Sequence, residues 1–351
     1  MIAFVLGTRP EVVKLAPVIA QIPEEERRVI WTGQHWSPEL MQGLNVEEWR
    51  PTRIVTEPAA DTDGQRLAAM LSELLFEVQT GLPRWVVVQG DTTSALAGAL
   101  AGAKLGIPVF HVEAGCRSGD RTQPEELNRV LIDHAATRHA CSYKCDWGNL
   151  DSEGIRQGVL FSGDPAIDSL MTWKASLDAD CTPFASGGTD VLATIHRAET
   201  LADPAKLAGI LDFLGDLAQE REVTLFAHPH LQTVLRSHGL DAGARGVTVL
   251  EPTSPSRFRA ALARAGALVT DSGGASVEAA WMRVPCLMCR DVTELRDVQR
   301  AGLITVGGRT RESLHAAWSK AIDPERWLLT RELERAWAGG ASEKIAEVLR
   351  G

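Results

Sequence analysis

Short apolar runs recur along the chain, and most of them are followed by a segment with helical periodicity. Such runs are typical of parallel strands that helices cover on both faces. In the first half they are residues 2–6, 29–32, 85–88, 108–112, 139–142 and 159–161, and in the second half 191–195, 223–226, 247–250, 267–269, 285–288 and 303–306. These two series predict an α/β protein with two Rossmann-like domains, each built on a parallel sheet, and a cleft between them.

The boundary between the predicted domains follows the turn-forming residues Gly163-Asp164-Pro165. We therefore expect an N-terminal domain over residues 1–166 and a C-terminal domain over residues 167–336. A final helix within residues 337–351 is expected to pack back on the first domain.

The bulk composition excludes several classes of protein. Hydrophobic residues make up 44% of the chain and charged residues 23%, as in ordinary soluble proteins. A net charge of −10 argues against a surface that binds nucleic acid. The first predicted strand begins at Ile2, and the Ala/Gly-rich stretch near residue 100 is too short to cross a bilayer. We expect a cytoplasmic protein without a membrane segment.

Two pairs of cysteines have spacings that would suit a metal. Cys141 and Cys145 form one pair, and Cys286 and Cys289 form the other. The second pair lies in an apolar run, where free cysteine packs like a small apolar side chain. We expect neither a metal nor a disulfide. The chain also lacks G-x-G-x-x-G, the fingerprint of dinucleotide binding.

Carboxylates follow predicted strands where a parallel sheet binds its ligands. Asp91 and Glu113 each come directly after a strand, and Glu125 begins a predicted helix. Taken singly, Asp91 could cap a helix, and Glu125 could be a solvated, arginine-paired residue. Together the three acids favour a site for proton transfer on an anionic, sugar-like ligand.

Basic residues near the first strand suggest an anion site. Arg9 and Lys14 flank the start of a predicted helix, whose N-terminus favours negative charge. The alternative is a helix start closed by Thr8 and Glu11, which have the spacing of a capping box.

In the second half, His196 and Arg197 come just past a strand, where they could contact a phosphate. His230 closes the next strand and is a weaker candidate for a phosphate contact. For both His196 and His230, the alternative is a purely structural role. Ser272, Gly273 and Gly274 then precede a predicted helix.

Two glycines at a helix start let backbone N–H groups approach a diphosphate closely, whereas a simple tight turn is the alternative reading of Ser272–Gly274. Glu278 lies one turn into the same helix, within reach of a ribose hydroxyl.

Taken in order, these segments resemble the UDP-N-acetylglucosamine 2-epimerases, chiefly the non-hydrolysing bacterial kind. The matching segments are Gly7-Thr8-Arg9-Pro10-Glu11, Gln34-His35, Gly90-Asp91-Thr92, His111-Val112-Glu113-Ala114-Gly115, Pro124-Glu125-Glu126 with Asn128-Arg129, His196-Arg197 with Glu199, and Asp271-Ser272-Gly273-Gly274 with Glu278-Ala279. The resemblance implies a glycosyltransferase-B-type fold, a homodimer and no cofactor. It also implies conversion of UDP-N-acetylglucosamine to UDP-N-acetylmannosamine, through elimination of UDP to a 2-acetamidoglucal and re-addition.

The resemblance also implies roles for single residues. Asp91, Glu113 and Glu125 would be the acid/base residues, in an order that stays open. Departing UDP would be stabilised by Arg9 and Lys14 of the first domain, by the catalytic His196, and by the helix start at Ser272, Gly273 and Gly274. Arg197 and His230 would be further UDP contacts. Further substrate contacts would be Arg129, Glu278 and Phe258, the aromatic residue retained after Glu251-Pro252-Thr253-Ser254-Pro255. Gln34 and His35 match a stretch near a second, regulatory UDP-sugar site of some relatives.

The sequence departs from the family pattern mainly in the second half, at Ala198, at Ala275-Ser276-Val277 and at Leu295-Arg296. Four alternatives therefore stay open: an epimerase for a modified sugar or another nucleotide, a hydrolysing 2-epimerase, a glycosyltransferase of the same fold, and a nucleotide-sugar-binding regulatory protein without catalysis.

Overall fold

All of the apolar runs predicted as strands form strands of two parallel sheets in the computed structural model of the protein. The structure describes residues 1–34, 51–53, 62–176 and 190–351. Within these ranges the chain forms two units: Met1–Thr172 together with Arg331–Gly351, and Trp173–Thr330. The prediction of two parallel α/β sheets is confirmed.

The sheet of the first unit has the strand order β3-β2-β1-β4-β5-β6-β7. Its strands are β1 Ile2–Leu6, β2 Arg27–Trp31, β3 Thr52–Arg53, β4 Trp85–Gln89, β5 Val109–Val112, β6 Arg138–Cys141 and β7 Val159–Phe161. β3 was not predicted, because a strand of two residues is too short to form an apolar run. β1 pairs with both β2 and β4, so the order of the strands reverses between β1 and β4. In parallel sheets, ligands bind beyond the carboxyl ends of the strands at such a reversal.

Helices cover both faces of this sheet. They are Arg9–Ile19, Asp63–Gly81, Thr93–Lys104, Pro124–Ala135, Lys144–Ser152, Pro165–Ala175, Arg331–Ala336 and Ala341–Arg350. Helix Thr93–Lys104 is rich in alanine and glycine because it lies directly on the strands. A Cβ atom on Gly98 would come within 2.9 Å of Val88 Cγ1, so a larger residue would force the helix away from the sheet.

The end of the chain returns to the first unit. Ile345, Ala346 and Leu349 belong to the same buried cluster as Val12 and Leu15 of helix Arg9–Ile19. The backbone N–H of Ser342 donates to Asp168 Oδ2 at 2.6 Å. The apolar stripe of the last helix thus completes a core that begins with β1.

The second unit repeats the same pattern, with the strand order β10-β9-β8-β11-β12-β13. Its strands are β8 Val191–Thr194, β9 Val223–Phe226, β10 Thr248–Leu250, β11 Ala267–Thr270, β12 Cys286–Met288 and β13 Thr305–Val306. Its helices are Ala198–Leu201, Pro204–Leu217, Pro229–Ser237, Pro255–Leu262, Gly273–Trp281, Arg296–Arg300 and Arg311–Ala321. Phe213 and neighbouring leucines of helix Pro204–Leu217 fill its core.

None of the helices in the described ranges combines the length and the apolar character needed to cross a bilayer.

Candidate active site

Glu113 lies directly past β5, and its backbone has the unusual φ of +67°. Few residues other than glycine adopt this left-handed conformation, and those that do are often held in place at functional sites. Its Oε2 accepts a hydrogen bond from Lys14 Nζ at 2.5 Å and another from Gln89 Nε2. Its side chain is 18% exposed. The turn therefore presents one carboxylate, fixed by two donors from neighbouring elements.

Burial governs the protonation of Glu113. It raises the pKa of this carboxyl, Lys14 opposes the rise, and the negative charges of Asp164 and Asp91 add to it. Burial alone would lower the pKa of Lys14, but Glu113 and Asp164 raise it above its ordinary value. The cation beside Glu113 is thus permanent, while the carboxylate is more basic than a solvated one. A general base needs that property.

Asp91 lies beyond the end of β4 and forms an ion pair with Arg129. Asn128 Nδ2 also donates to the backbone oxygen of Asp91 at 2.8 Å. The alternative role of Asp91 as a helix cap is wrong, because Thr92 caps helix Thr93–Lys104 by accepting from Ala95 N at 3.0 Å. The carboxylate of Asp91 is one quarter exposed and lies at the switch between β1 and β4.

Helix Pro124–Ala135 carries two adjacent acids with different surroundings. Glu126 is buried and accepts from the backbone N–H groups of Ser118 and Gly119, each at 2.8 Å. Burial opposes the effect, but these donors lower its pKa. Glu125 is only partly buried. Glu126 therefore closes the loop after β5, and Glu125 is the acid of this pair that a ligand can approach.

The same helix places Arg129 between two carboxylates. Its guanidinium forms the ion pair with Asp91 and a second one with Glu126, with Nη1 and Oε2 3.0 Å apart. Its side chain is buried. The geometry supports a role in orienting Asp91, and the predicted contact of Arg129 with substrate stays a prediction.

Glu11, which the sequence predicts only as part of a helix start, makes hydrogen bonds to residues next to Arg9 and Asp91. Its Oε2 accepts from Gly7 N at 2.8 Å, Thr8 N at 2.6 Å and Thr8 Oγ1 at 2.9 Å. Its Oε1 accepts from Thr92 Oγ1 at 2.6 Å. Burial raises its pKa to about 7, against the effect of these donors. Glu11 thus joins the loop before Arg9 to the residue after Asp91, a long-range contact that no local spacing signals.

Of the predicted regulatory pair, only Gln34 belongs to the described residues, and His35 lies outside them. Gln34 Oε1 accepts from Ser94 N at 3.0 Å and from Ser94 Oγ at 2.7 Å. Gln34 is therefore bound to the first turn of the helix that follows Asp91.

In the second unit, Asp271 organises the loop after β8. This fully buried carboxylate accepts from the backbone N–H of His196 at 3.0 Å and of Arg197 at 2.9 Å, and its Oδ1 lies 3.2 Å from His196 Nδ1. Burial opposes the effect, but His196 and these hydrogen bonds lower the pKa of Asp271. The imidazole of His196 stays half exposed. The sequence predicted the loop but attributed no role in it to Asp271.

The predicted anion site lies at the N-terminus of helix Gly273–Trp281. Ser272 Oγ accepts from Ala275 N at 3.3 Å and caps the helix. A Cβ atom on Gly273 would lie 2.8 Å from Glu294 Oε1, whereas a Cβ on Gly274 would meet nothing within 4 Å. The space at Gly274 leaves the positive end of the helix dipole open to an anion.

The remaining predicted contacts lie on neighbouring helices of the second unit. Arg259 donates to Glu278 Oε1 from Nη2 at 2.9 Å and from Nε at 3.1 Å, so the carboxylate is held on one side. Phe258 packs edge-on against Phe226, with ring centroids 5.7 Å apart. His230 lies in the first turn of helix Pro229–Ser237 and is exposed.

Across the described part of the chain, no group of three His, Cys, Asp or Glu side chains has the arrangement that would hold a metal ion. The cysteines within the described ranges have free thiols, and those of Cys286 and Cys289 are buried.

A sequence model of the family described as UDP-N-acetylglucosamine 2-epimerase matches residues 19–350. The chain belongs to this family. The predicted resemblance is therefore confirmed.

Two curated relatives illustrate the range of the family. UDP-N-acetylglucosamine 2-epimerase of Methanocaldococcus jannaschii is 31% identical over 93% of each chain. UDP-2,3-diacetamido-2,3-dideoxy-D-glucuronate 2-epimerase of Pseudomonas aeruginosa is 31% identical over 98% of each chain. The chain is thus equally similar to epimerases named for two different sugars.

A crystal structure of the M. jannaschii enzyme in complex with UDP-GlcNAc and UDP superposes with a TM-score of 0.88 over 99% of each chain, at 30% identity. This similarity confirms the predicted fold class, the glycosyltransferase-B type.

Proposed function

We propose that the protein epimerises a nucleotide sugar at C2, and that the substrate is UDP-N-acetylglucosamine and the product UDP-N-acetylmannosamine. The observation that carries the proposal is the largely buried Glu113 carboxylate, which is fixed by Lys14 and made more basic by burial. Removal of a weakly acidic C2 proton needs a positioned base of this kind. Membership of the family supports the substrate class.

The proposed reaction has two stages. A carboxylate takes the C2 proton, the electrons of the C2–H bond form the C1=C2 double bond, and the C1–O bond breaks as UDP leaves. UDP then adds back to C1 of the 2-acetamidoglucal while an acid protonates C2 on the opposite face. Asp91, Glu113 and Glu125 are the candidate acid/base residues, and the division of roles among them is open.

Negative charge develops on the diphosphate as UDP departs, and donors aimed at that charge stabilise the transition state. His196 is the proposed catalytic residue of the second unit, since its half-exposed imidazole is anchored by Asp271. Ser272, Gly273 and Gly274 would bind the diphosphate through the helix start, with Arg197 and His230 as further phosphate contacts. Glu278 would bind the ribose, and Phe258 would contact the base.

In the first unit, Arg9 and Lys14 would complete the diphosphate contacts, and Arg129 would add a contact to the sugar. Gln34 and His35 would contribute to a regulatory nucleotide-sugar site. We further propose that residues 1–166 with 337–351 and residues 167–336 act as two functional domains.

A modified sugar is the second candidate substrate, because the P. aeruginosa relative is named for a diacetamido-glucuronate. Its C2 acetamido chemistry is the same, and only the groups at C3 and C5 differ. We also propose that the protein works without a cofactor, as a cytoplasmic homodimer that supplies cell-surface polysaccharide biosynthesis. Phe76, Leu127 and Leu131 expose large apolar side chains on helices of the first unit, and a second copy could cover them.

Incubation of the protein with UDP-N-acetylglucosamine in deuterated water tests the proposal. We expect NMR to show UDP-N-acetylmannosamine with deuterium at C2. Release of free N-acetylmannosamine and UDP would indicate a hydrolysing epimerase instead. Absence of deuterium at C2 in both this sugar and the diacetamido-glucuronate would contradict epimerisation, and transfer to an added acceptor would then identify a glycosyltransferase.

A further inference from the structure

The ends of β4 and β5 are joined by a buried pair of side chains, His111 and Asp133. His111 Nε2 lies 2.9 Å from the backbone oxygen of Gly90, and its Nδ1 lies 2.6 Å from Asp133 Oδ1. Asp133 Oδ2 accepts from the backbone N–H of Gly115 at 3.0 Å. The pair thus contacts the residue before Asp91 on one strand end and the second residue after Glu113 on the other.

The hydrogen bonds fix the orientation of the His111 ring. A carbonyl oxygen only accepts, so Nε2 donates to the backbone oxygen of Gly90. Burial opposes ionisation of Asp133, but His111 and Arg117 lower its pKa to about 2, so this side chain is a carboxylate. Both side chains of the pair are fully buried, and Asp133 is also paired with Arg117, which in turn pairs with Glu153.

Both backbone groups that the pair holds belong to glycines in the left-handed region. Gly90 has a φ of +71° and Gly115 a φ of +79°. Without side chains of their own, these residues rotate easily unless other groups restrain them. Asp133 also lies on helix Pro124–Ala135, which carries Glu125. One buried, hydrogen-bonded pair of side chains therefore restrains the elements that carry all three candidate acid/base residues.

We propose that the His111–Asp133 pair sets the separation of Asp91 and Glu113, so that His111 is a positioning residue for proton removal and proton return at C2. The inference rests on the proposed function and deepens it. Proton transfer is sensitive to such placement, since a misplacement of about 1 Å costs about 100-fold in rate. Elimination needs only the base, whereas completion of the epimerisation also needs the acid on the other face. Loss of the correct separation therefore lets the 2-acetamidoglucal and UDP leave before re-addition.

His111→Gln and His139→Gln are a matched pair of variants for testing the role. His139 is the cross-strand neighbour of His111 and is also buried. Its Nε2 bonds to the backbone oxygen of Asp133 at 2.8 Å. Within the part of the chain that the structure describes, His139 makes no hydrogen bond to Gly90 or Gly115. Thermal unfolding of both variants measures the purely structural cost of losing a buried histidine.

We expect His111→Gln to lower kcat about 100-fold, to change KM less than about threefold, and to release a larger share of UDP as free nucleotide. His139→Gln should keep the wild-type kcat and product ratio, even where its melting temperature falls. If His111→Gln does not fold, His111→Asn, which keeps a donor toward Asp133 but is too short for Gly90, replaces it with the same expectation. Equal losses of kcat in the His111 and His139 variants would overturn the proposal.

NMR of the ¹⁵N-labelled wild type and variants provides a readout that does not depend on activity. The backbone N–H of Gly115 is held by Asp133, so we expect its signal to shift in His111→Gln and to stay near the wild-type position in His139→Gln, and an unmoved signal in His111→Gln would overturn the positioning role. The two proposals fail in different ways. A wild type that neither epimerises nor exchanges the C2 proton removes the proposed function, whereas an active wild type with an unimpaired His111→Gln variant removes only the positioning role.

Discussion

The carboxylate at the centre of the candidate site is compensated differently in the two units. In the first unit, Glu113 forms an ion pair with Lys14. In the second unit, the buried Asp271 binds backbone N–H groups, and the imidazole of His196 that it anchors stays half exposed. Proton transfer needs a carboxylate whose basicity and position are fixed, whereas diphosphate binding needs donors that a ligand can reach. The comparison supports the proposal that the chemistry resides in the first unit and nucleotide binding in the second.

The largest effect is expected for Glu113→Gln, which keeps the shape of the side chain and removes the base. Turnover should fall by about 1000-fold, because general-base catalysis contributes 10²- to 10⁴-fold, while UDP affinity measured by calorimetry stays within about threefold. Glu77→Gln is the control, since Glu77 pairs with Arg28 in the same unit. An active Glu113→Gln variant would break the comparison between the units.

The reverse pattern is expected for Asp271→Asn in the second unit. The loop of His196 and Arg197 would lose its charged acceptor, so UDP affinity should fall about 10- to 100-fold, equivalent to about 1.4 to 2.7 kcal/mol. Residual turnover at saturating substrate should stay within about tenfold of wild type.

Asp216→Asn, which alters a partly exposed acid paired with Arg311, serves as the control for Asp271→Asn. Unchanged UDP binding in Asp271→Asn would show that the second unit holds nucleotide in some other way.

A smaller effect is expected for Lys14→Met, which leaves the largely buried Glu113 without its cation. Since Lys14 lowers the pKa of Glu113, that pKa should rise, and the acidic limb of the kcat–pH profile should move to higher pH. Lys144→Met removes an exposed lysine paired with Glu332 and should leave the profile in place. A limb that stays in place in Lys14→Met would exclude Glu113 as the group that titrates in it.

The smallest effect on turnover is expected at Glu11, where the readout is stability. Its folded pKa of about 7 lies above the ordinary 4.5, so the folded state binds more protons between these values and loses stability as pH rises through this window. Glu11→Gln resembles the protonated form and should remove this loss, on the order of 2 kcal/mol.

Urea unfolding of wild type and Glu11→Gln at pH 5 and pH 8 measures how much the free energy of unfolding of each protein changes between these pH values. Glu26→Gln, at an exposed ion pair with Arg84, should leave the pH dependence unchanged. A pH dependence that persists in Glu11→Gln would assign it to another group.

Much of the site was predictable because its residues follow strands directly. Asp91 and Glu113 were predicted as site residues from strand ends alone, and the structure places them beyond adjacent strands of the sheet. Glu11 and His111 were not, because their partners are Thr92, Gly90 and Asp133, which are distant in the chain. A capping-box spacing or a histidine in a strand gives no sign of such contacts.

The sequence by itself determined the two parallel sheets, the family and the acids at the strand ends, because these depend on local periodicity and ordered motifs. Only the tertiary structure decided how each charge is compensated. Lys14 reaches Glu113 across 99 positions of the chain, and Asp271 reaches His196 across 75. Pairing and burial determine whether a carboxylate acts as a base or as an anchor, and both arise when distant segments pack together.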